Sequence, residues 1–272
     1  MRADTVDLGL EGRAALITGS YRGTGAGIAR VLAREGARVF VHGLHEGQAS
    51  EVADEIRTTG GDALVVEGDI RTDEGARQVA KATLEAGGVE ILINNFGRAE
   101  GKGWLDGSTE EWLKMFETNV MSGARMVREL TPSMKEHPGN WGRVIFLSTV
   151  GSVRPRSQMP GYYASKASLA NMTVSLAKEL TGTGITVNTV SPGIIATAEV
   201  REMLERRALK EGWGDDWDAI QRIAARDFMP NPSGRIGSVE DVGQLVAYLC
   251  SAHANYVNGA DLRIDGGAAD CV

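Results

Sequence analysis

The chain has 272 residues, 42% hydrophobic and 24% charged, a globular composition that suits one large α/β domain better than two small ones. A net charge of −7 without a clustered basic patch argues against a nucleic-acid surface. No apolar run reaches the roughly 18 residues of a transmembrane helix.

Met1 to Gly12 is polar and acidic and lacks the apolar core of a signal peptide. Cys250 and Cys271 are too few for a disulfide framework or a metal site, so a reducing cytoplasm and no metal are expected.

Arg13 to Thr18 reads as a short buried strand leading into Gly19-Ser20-Tyr21-Arg22-Gly23-Thr24-Gly25. A helical pattern follows, with Ile28, Val31 and Leu32 on one face and a stop at Gly36. That order makes an anion site: glycines allow close backbone approach, and the helix N-terminus offers unpaired N–H groups. The spacing G-x-x-x-G-x-G is not the commoner G-x-G-x-x-G, and a flexible loop is also glycine-rich. The strand–turn–helix setting favours pyrophosphate binding.

Strands and helices then alternate. Strands are expected over Arg38 to Val41, Ala63 to Glu67, Val89 to Asn94, Arg143 to Leu147, Ile185 to Val190 and Leu262 to Ile264. Helices are expected over Gln48 to Thr59, Thr72 to Glu85, a long one from the capping box Ser108-x-x-Glu111 to about Met134, and Tyr162 to Leu180. Another cap, Ser238-x-x-Asp241, opens a helix ending near Cys250. Such alternation means a parallel sheet covered on both faces, whose ligands bind outside the carboxyl ends of the strands. Gly19, Asp69, Asn94-Asn95-Phe96-Gly97, Ser148 and Ser191-Pro192-Gly193 all stand at such ends and describe one rim.

In Tyr162-Tyr163-Ala164-Ser165-Lys166, Tyr162 and Lys166 are four apart and share a helix face. An unperturbed phenol has a pKa of about 10. A neighbouring ammonium favours the phenolate and brings proton exchange with a substrate oxygen within reach. Alone, an aromatic stripe with a surface lysine explains the pattern as well; the rim supplies what the catalytic reading needs.

Together these features resemble the short-chain dehydrogenase/reductase family, in its single-domain form, from about Leu10 to Gly267. Thr18-Gly19-x-x-x-Gly23-x-Gly25 matches the cofactor turn, and Asn94-Asn95-x-Gly97 the fourth-strand motif. Asn119, Ser148, Tyr162 and Lys166 match the catalytic tetrad, and Pro192-Gly193 with Thr197 the segment over the nicotinamide; Asp265-Gly266-Gly267 also fits. The resemblance implies one Rossmann-type doubly wound sheet of about seven strands, ordered 3-2-1-4-5-6-7, within a single domain spanning residues 1–272. It implies that Tyr162 exchanges the proton and Ser148 holds the substrate oxygen. Lys166 would lower the phenol pKa and bind the nicotinamide ribose, while Asn119 would hold a water through its main-chain carbonyl. Cofactor contacts carried over are Gly19, Tyr21, Arg22, Gly23, Thr24, Gly25, Asp69, Ile70, Asn95, Gly97, Tyr162, Lys166, Pro192, Gly193, Ile195 and Thr197. Thr149 rivals Ser148, but counting back from Gly151 favours Ser148, which leaves the interval to Tyr162 one residue longer than in many relatives.

Several positions depart from the family pattern. Gly43 stands where NAD-preferring members usually carry a carboxylate for the ribose 2′-OH, and Arg22 can pair with a 2′-phosphate. NADP(H) is therefore favoured over NAD(H), although Leu44 replaces a frequent second arginine. Phe96 replaces a small residue and either narrows the adenosine pocket or packs. Residues 198–234 are longer than a compact lid and carry Met203, Leu204, Trp213, Trp217, Ile220 and Phe228. They are either helices packed on the body or a lid closing over a hydrophobic substrate.

The resulting expectation is an oxidoreductase interconverting a secondary alcohol and a ketone, hydrophobic or 3-oxoacyl-like. Alternatives are an NAD(H)-dependent alcohol dehydrogenase, a cofactor-binding sensor or scaffold, or a lyase, epimerase or dehydratase on the same fold. A homotetramer or homodimer is implied, through helices bearing Val120, Met126, Val127, Leu169, Met172 and Leu176.

Overall fold

The computed structural model describes residues 6–270. β1 (Ala14–Ile17), β2 (Arg38–Gly43), β3 (Asp62–Glu67), β4 (Ile91–Asn94), β5 (Gly142–Leu147), β6 (Ile185–Pro192) and β7 (Asp261–Ile264) pair in parallel in the order β3-β2-β1-β4-β5-β6-β7. The expected strand order is thus observed. Side chains of successive strand residues face opposite sides, so β1 to β6 each feed two cores, while β7 at the edge packs on one. Ile17, Val39, Val41, Ile93, Ile145 and Leu147 meet α1 (Gly23–Arg34), α2 (Ser50–Thr58) and α9 (Val239–Cys250). Leu16, Phe40, Leu92, Val144, Phe146 and Val187 meet α3 (Asp73–Glu85), α5 (Ser122–Glu136) and α6 (Pro160–Glu179). Burial on both faces is why these strands read as continuous apolar runs.

The chain leaves β1 toward β2 on one side and returns to β4 on the other. The carboxyl end of the sheet therefore splits open beside β1, where an open α/β sheet presents its ligand crevice. Both capping boxes are present: Ser108 accepts from the Glu111 N–H at 3.3 Å, and Ser238 from that of Asp241 at 3.0 Å.

One helix differs from expectation. The span from Ser108 to Met134 is α4 (Thr109–Phe116), a π-helical turn (Glu117–Met121) and then α5. A single five-residue π turn is too short to register in the longer window that a hydrophobic period needs, so the sequence reads straight through it; such bulges often sit at functional sites. Of the apolar positions expected at a subunit interface, Val120, Met126 and Leu169 are buried inside the chain, and only Val127, Met172 and Leu176 stay partly exposed.

Residues 198–234 hold α7 (Ala198–Glu211), α8 (Trp217–Ile223) and a second π turn (Ala224–Phe228). Leu204, Ala208, Ile220, Ala224 and Ala225 form a small core of their own with Ile236, sealed by Trp213, Trp217 and Phe228. Arg201 stacks on Trp217 at 4.6 Å and Arg207 on Phe228 at 3.9 Å. No helix among the described residues is long and apolar enough to cross a membrane. Cys250 is buried, and Cys271 lies outside the described residues.

Because this core is small and separate, damage to it opens the segment before the sheet. Leu204→Ala removes a fully buried side chain, a loss of about 2–5 kcal/mol. Proteolytic cleavage within 198–234 should accelerate at least about tenfold, while cleavage elsewhere stays unchanged.

Candidate active site

A cavity of about 570 Å³ opens at the carboxyl end of β1, β4, β5 and β6. The turn from Gly19 to Gly25 forms one wall, with Tyr21, Arg22, Gly23 and Thr24 facing it. Asn95 and Gly97 close the floor; Ser148, Tyr162 and Lys166 form the far wall; Pro192, Gly193, Ile195 and Thr197 lie above. The predicted set thus converges, with three exceptions. Ile70 is buried. The Asp69 carboxylate is taken by Arg71 at 2.7 Å, and this pairing holds it below its usual pKa. Asn119 lies just behind the floor.

The turn is held from beneath. Asn95 Nδ2 donates to the carbonyls of Thr18 at 2.8 Å and Gly19 at 3.3 Å. Gly19 has φ +65°, which favours glycine, and a Cβ there would meet Phe96 at 3.1 Å. Phe96 therefore packs under the turn. Arg22 precedes α1 without capping it by a side chain, so the first N–H groups of that helix face the cavity unclaimed by any cap. An uncapped helix N-terminus in a cleft fits a pyrophosphate.

On the opposite wall two hydrogen bonds cross between β5 and α6. Lys166 Nζ donates to the Leu147 carbonyl at 2.7 Å, and Ser148 Oγ donates to the Lys166 carbonyl at 2.8 Å. Burial pushes the Lys166 ammonium down to about 8. A Cβ at residue 97 would stand 2.6 Å from Asn119 Oδ1 and 3.0 Å from Lys166 Nζ, so only glycine fits. Asn119 Oδ1 accepts from the Arg98 N–H at 2.8 Å, and its Nδ2 donates to the Arg98 carbonyl and Ser165 Oγ, both at 3.1 Å. Its side chain thereby fastens the loop after β4 to α6 from within the π turn.

Burial pushes the Tyr162 phenol up to about 12, partly offset by a hydrogen bond with the Thr149 side chain. Thr149 lines the cavity, and its Oγ1 accepts from the Gly151 N–H at 3.2 Å. The hydroxyl next to the phenol is therefore that of Thr149, while Ser148, with 7% exposure, spends its hydroxyl on the helix. Counting from Gly151 favours Ser148, but both side chains line the cavity, and they differ in that the Ser148 hydroxyl is given to the Lys166 carbonyl.

Glu199 and Val200, at the start of α7, also line the cavity and carry no motif. Glu199 pairs with Arg22, whose Nε donates to the Tyr21 hydroxyl at 3.3 Å.

A family model described as enoyl-(acyl carrier protein) reductase matches residues 19–269. The chain belongs to the short-chain dehydrogenase/reductase family. Members similar to it include the uncharacterized oxidoreductase YvaG of Bacillus subtilis, 36% identical over 96% of this chain and 97% of that one. The 3-oxoacyl-[acyl-carrier-protein] reductase FabG of Vibrio cholerae is 33% identical over 96% and 98%. Among solved structures, the L-sorbose reductase of Gluconobacter frateurii, complexed with NADPH and L-sorbose, superposes with a TM-score of 0.90 at 29% identity, over 98% and 100% of the two chains. As a short-chain dehydrogenase/reductase, the protein is an oxidoreductase of alcohol and ketone groups.

The buried ammonium has a consequence for stability. The Lys166 pKa is lowered in the fold, so folding favours the neutral amine, and the penalty is absent above about pH 10.5 and complete below about pH 8. The penalty is on the order of 3 kcal/mol. Lys166→Met should therefore be more stable than the natural protein at pH 7, the gain shrinking toward pH 10.5, while activity is lost. Urea denaturation across pH measures it.

Proposed function

We propose that the protein is an NADP(H)-dependent reductase interconverting a ketone and a secondary alcohol, with Tyr162 as the proton donor. What carries this reading is the convergence of Tyr162, Thr149 and Lys166 on the cavity into which the uncapped N-terminus of α1 opens. A nicotinamide dinucleotide supplies the hydride chemistry when bound. The Gly23 to Gly25 end of α1 would take its pyrophosphate.

In reduction, the phenol of Tyr162 gives its proton to the carbonyl oxygen as hydride reaches the carbon; in oxidation the same oxygen takes the hydroxyl proton. Thr149 Oγ1 accepts from the Gly151 N–H, and its own O–H, which lies beside the phenol, would turn to donate to the substrate oxygen. Lys166, one turn along α6, stands ready to stabilise the phenolate left behind. A phenol held near 12 stays protonated at neutral pH, which suits the reducing direction. Ile194, Ile195 and Val200 give the cavity an apolar side, which supports a hydrophobic or 3-oxoacyl-like substrate.

The NADP(H) preference rests on β2 and Arg22. β2 ends at Gly43 with no carboxylate to repel a 2′-phosphate, and Leu44 is turned inward at 5% exposure. Both partners of the Arg22–Glu199 pair are about half exposed, and such pairs contribute at most about 1 kcal/mol. A 2′-phosphate can therefore take the guanidinium. The L-sorbose reductase with NADPH points the same way. The reading extends to a cytoplasmic homotetramer or homodimer, which light scattering tests.

Tyr162→Phe should lower kcat at least about a thousandfold in a ketone panel with NADPH, and retained turnover overturns the assignment. Thr149→Ala should lose about a hundredfold or more, the scale of one donor to the developing oxyanion, and Ser148→Ala should lose less. NADPH should show a lower KM than NADH, and Arg22→Ala should raise the NADPH value by about tenfold with little change for NADH; the opposite ranking of the cofactors in steady-state kinetics would establish the NAD(H) alternative.

A further inference from the structure

His42, the penultimate residue of β2, is wholly buried and has no part in the chemistry above, yet both ring nitrogens are committed. Nδ1 accepts from the Gly19 N–H at 2.9 Å. Nε2 lies 2.9 Å from the Gly68 carbonyl oxygen, which can only accept, so Nε2 carries the proton. The ring is the neutral Nε2–H tautomer. The main-chain N–H of His42 donates to Ser20 Oγ at 2.9 Å, and that hydroxyl donates to the Ile17 carbonyl at 2.7 Å. One residue thus ties together the end of β1, the glycine turn and Gly68, which precedes Asp69 at the end of β3.

The grip on the turn is two-sided. Asn95 holds its carbonyls from the β4 side, and His42 holds the Gly19 N–H from the β2 side. A side chain that merely filled the space would need neither nitrogen. An apolar one of similar size would leave the Gly19 N–H and the Gly68 carbonyl without their partner in the interior. Burial holds the ring pKa down at about 4, against the pull of the Gly68 carbonyl and the Asp69 carboxylate, so the neutral form persists at physiological pH.

We propose that His42 is a positioning residue that sets the glycine turn against the β3 rim and so prepares the cleft for the adenosine and pyrophosphate half of a dinucleotide. It touches no ligand itself, and the proposal rests on the reading of the cleft as a dinucleotide site.

Titration calorimetry with NADPH and with NADH, together with steady-state kinetics, tests it on the natural protein, His42→Leu and His42→Asn. His42→Leu should weaken both cofactors about tenfold or more, the effect of orphaning a buried donor, while kcat at saturating cofactor falls less than about threefold. His42→Asn offers an oxygen near the place of Nδ1 and should recover most of the affinity. Unchanged affinity in His42→Leu, loss in kcat alone, or an asparagine variant no better than leucine overturns the proposal. Should the leucine variant not fold, nitrogen NMR of the natural protein decides: an Nδ1 without a proton from pH 7 to pH 5 is expected, and a ring titrating near its ordinary value overturns it. A natural protein that binds neither cofactor overturns the proposed function itself. Tight binding by natural protein and leucine variant alike overturns only the role of His42.

Discussion

Two hydrogen bonds running in opposite directions between β5 and α6 hold this site in place. Lys166 Nζ reaches the last carbonyl of the strand, and Ser148, just beyond the strand, reaches back to the carbonyl of Lys166. Without the first, an ammonium with 5% exposure would be buried with no acceptor, a state that proteins rarely tolerate. Without the second, the helix could slide along the strand end. The pair fixes the height of α6 on the sheet, and with it the position of Tyr162 one turn earlier.

The rest of the site is built onto that junction by close backbone approach. Gly97 lets the β4 loop pass directly over Lys166 and Asn119, and Asn119 then clasps the same loop through both polar atoms of its side chain. The π turn carrying Asn119 departs from regular helix where its side chain must reach both the loop and Ser165. Met159, at φ +54° just before Pro160, begins α6 from a left-handed residue that is not glycine. Backbone in that region is costly for an ordinary side chain, and such conformations collect near active sites.

The segment over the cleft follows another logic. Leu204, Ala208, Ile220, Ala224 and Ala225 are taken up in a small core that packs α7 against α8, while Met203 and Leu209 stay exposed. Its link to the cofactor turn is the exposed Arg22–Glu199 pair, backed by Tyr21. At its far end Ser233 is tied to the Gly266 carbonyl by its N–H at 3.0 Å and its hydroxyl at 3.2 Å. Residues 198–234 thus pack on the body at both ends and border the cleft through Glu199 and Val200.

Much was legible beforehand, because the signals are local. Strand–glycine–helix order, buried apolar runs and a tyrosine four residues from a lysine each depend on neighbours in the chain. Polar residues at the strand ends already marked the rim, and seven strands in their order followed from the family resemblance that these local signals support. What the sequence could not reveal depends on contacts between distant residues. Whether Ser148 or Thr149 offers its hydroxyl to the phenol turns on the hydrogen bond from Ser148 to the Lys166 carbonyl. Whether Val120, Met126 and Leu169 point outward turns on how α5 and α6 seat on the sheet. His42 and Glu199 belong to no motif at all, and their partners, Gly19 with Gly68 and Arg22, lie between 23 and 177 positions away along the chain. Periodicity and spacing record which residues share an element's face; only the packed structure decides which polar atoms meet across elements, because each must find a partner once water is excluded.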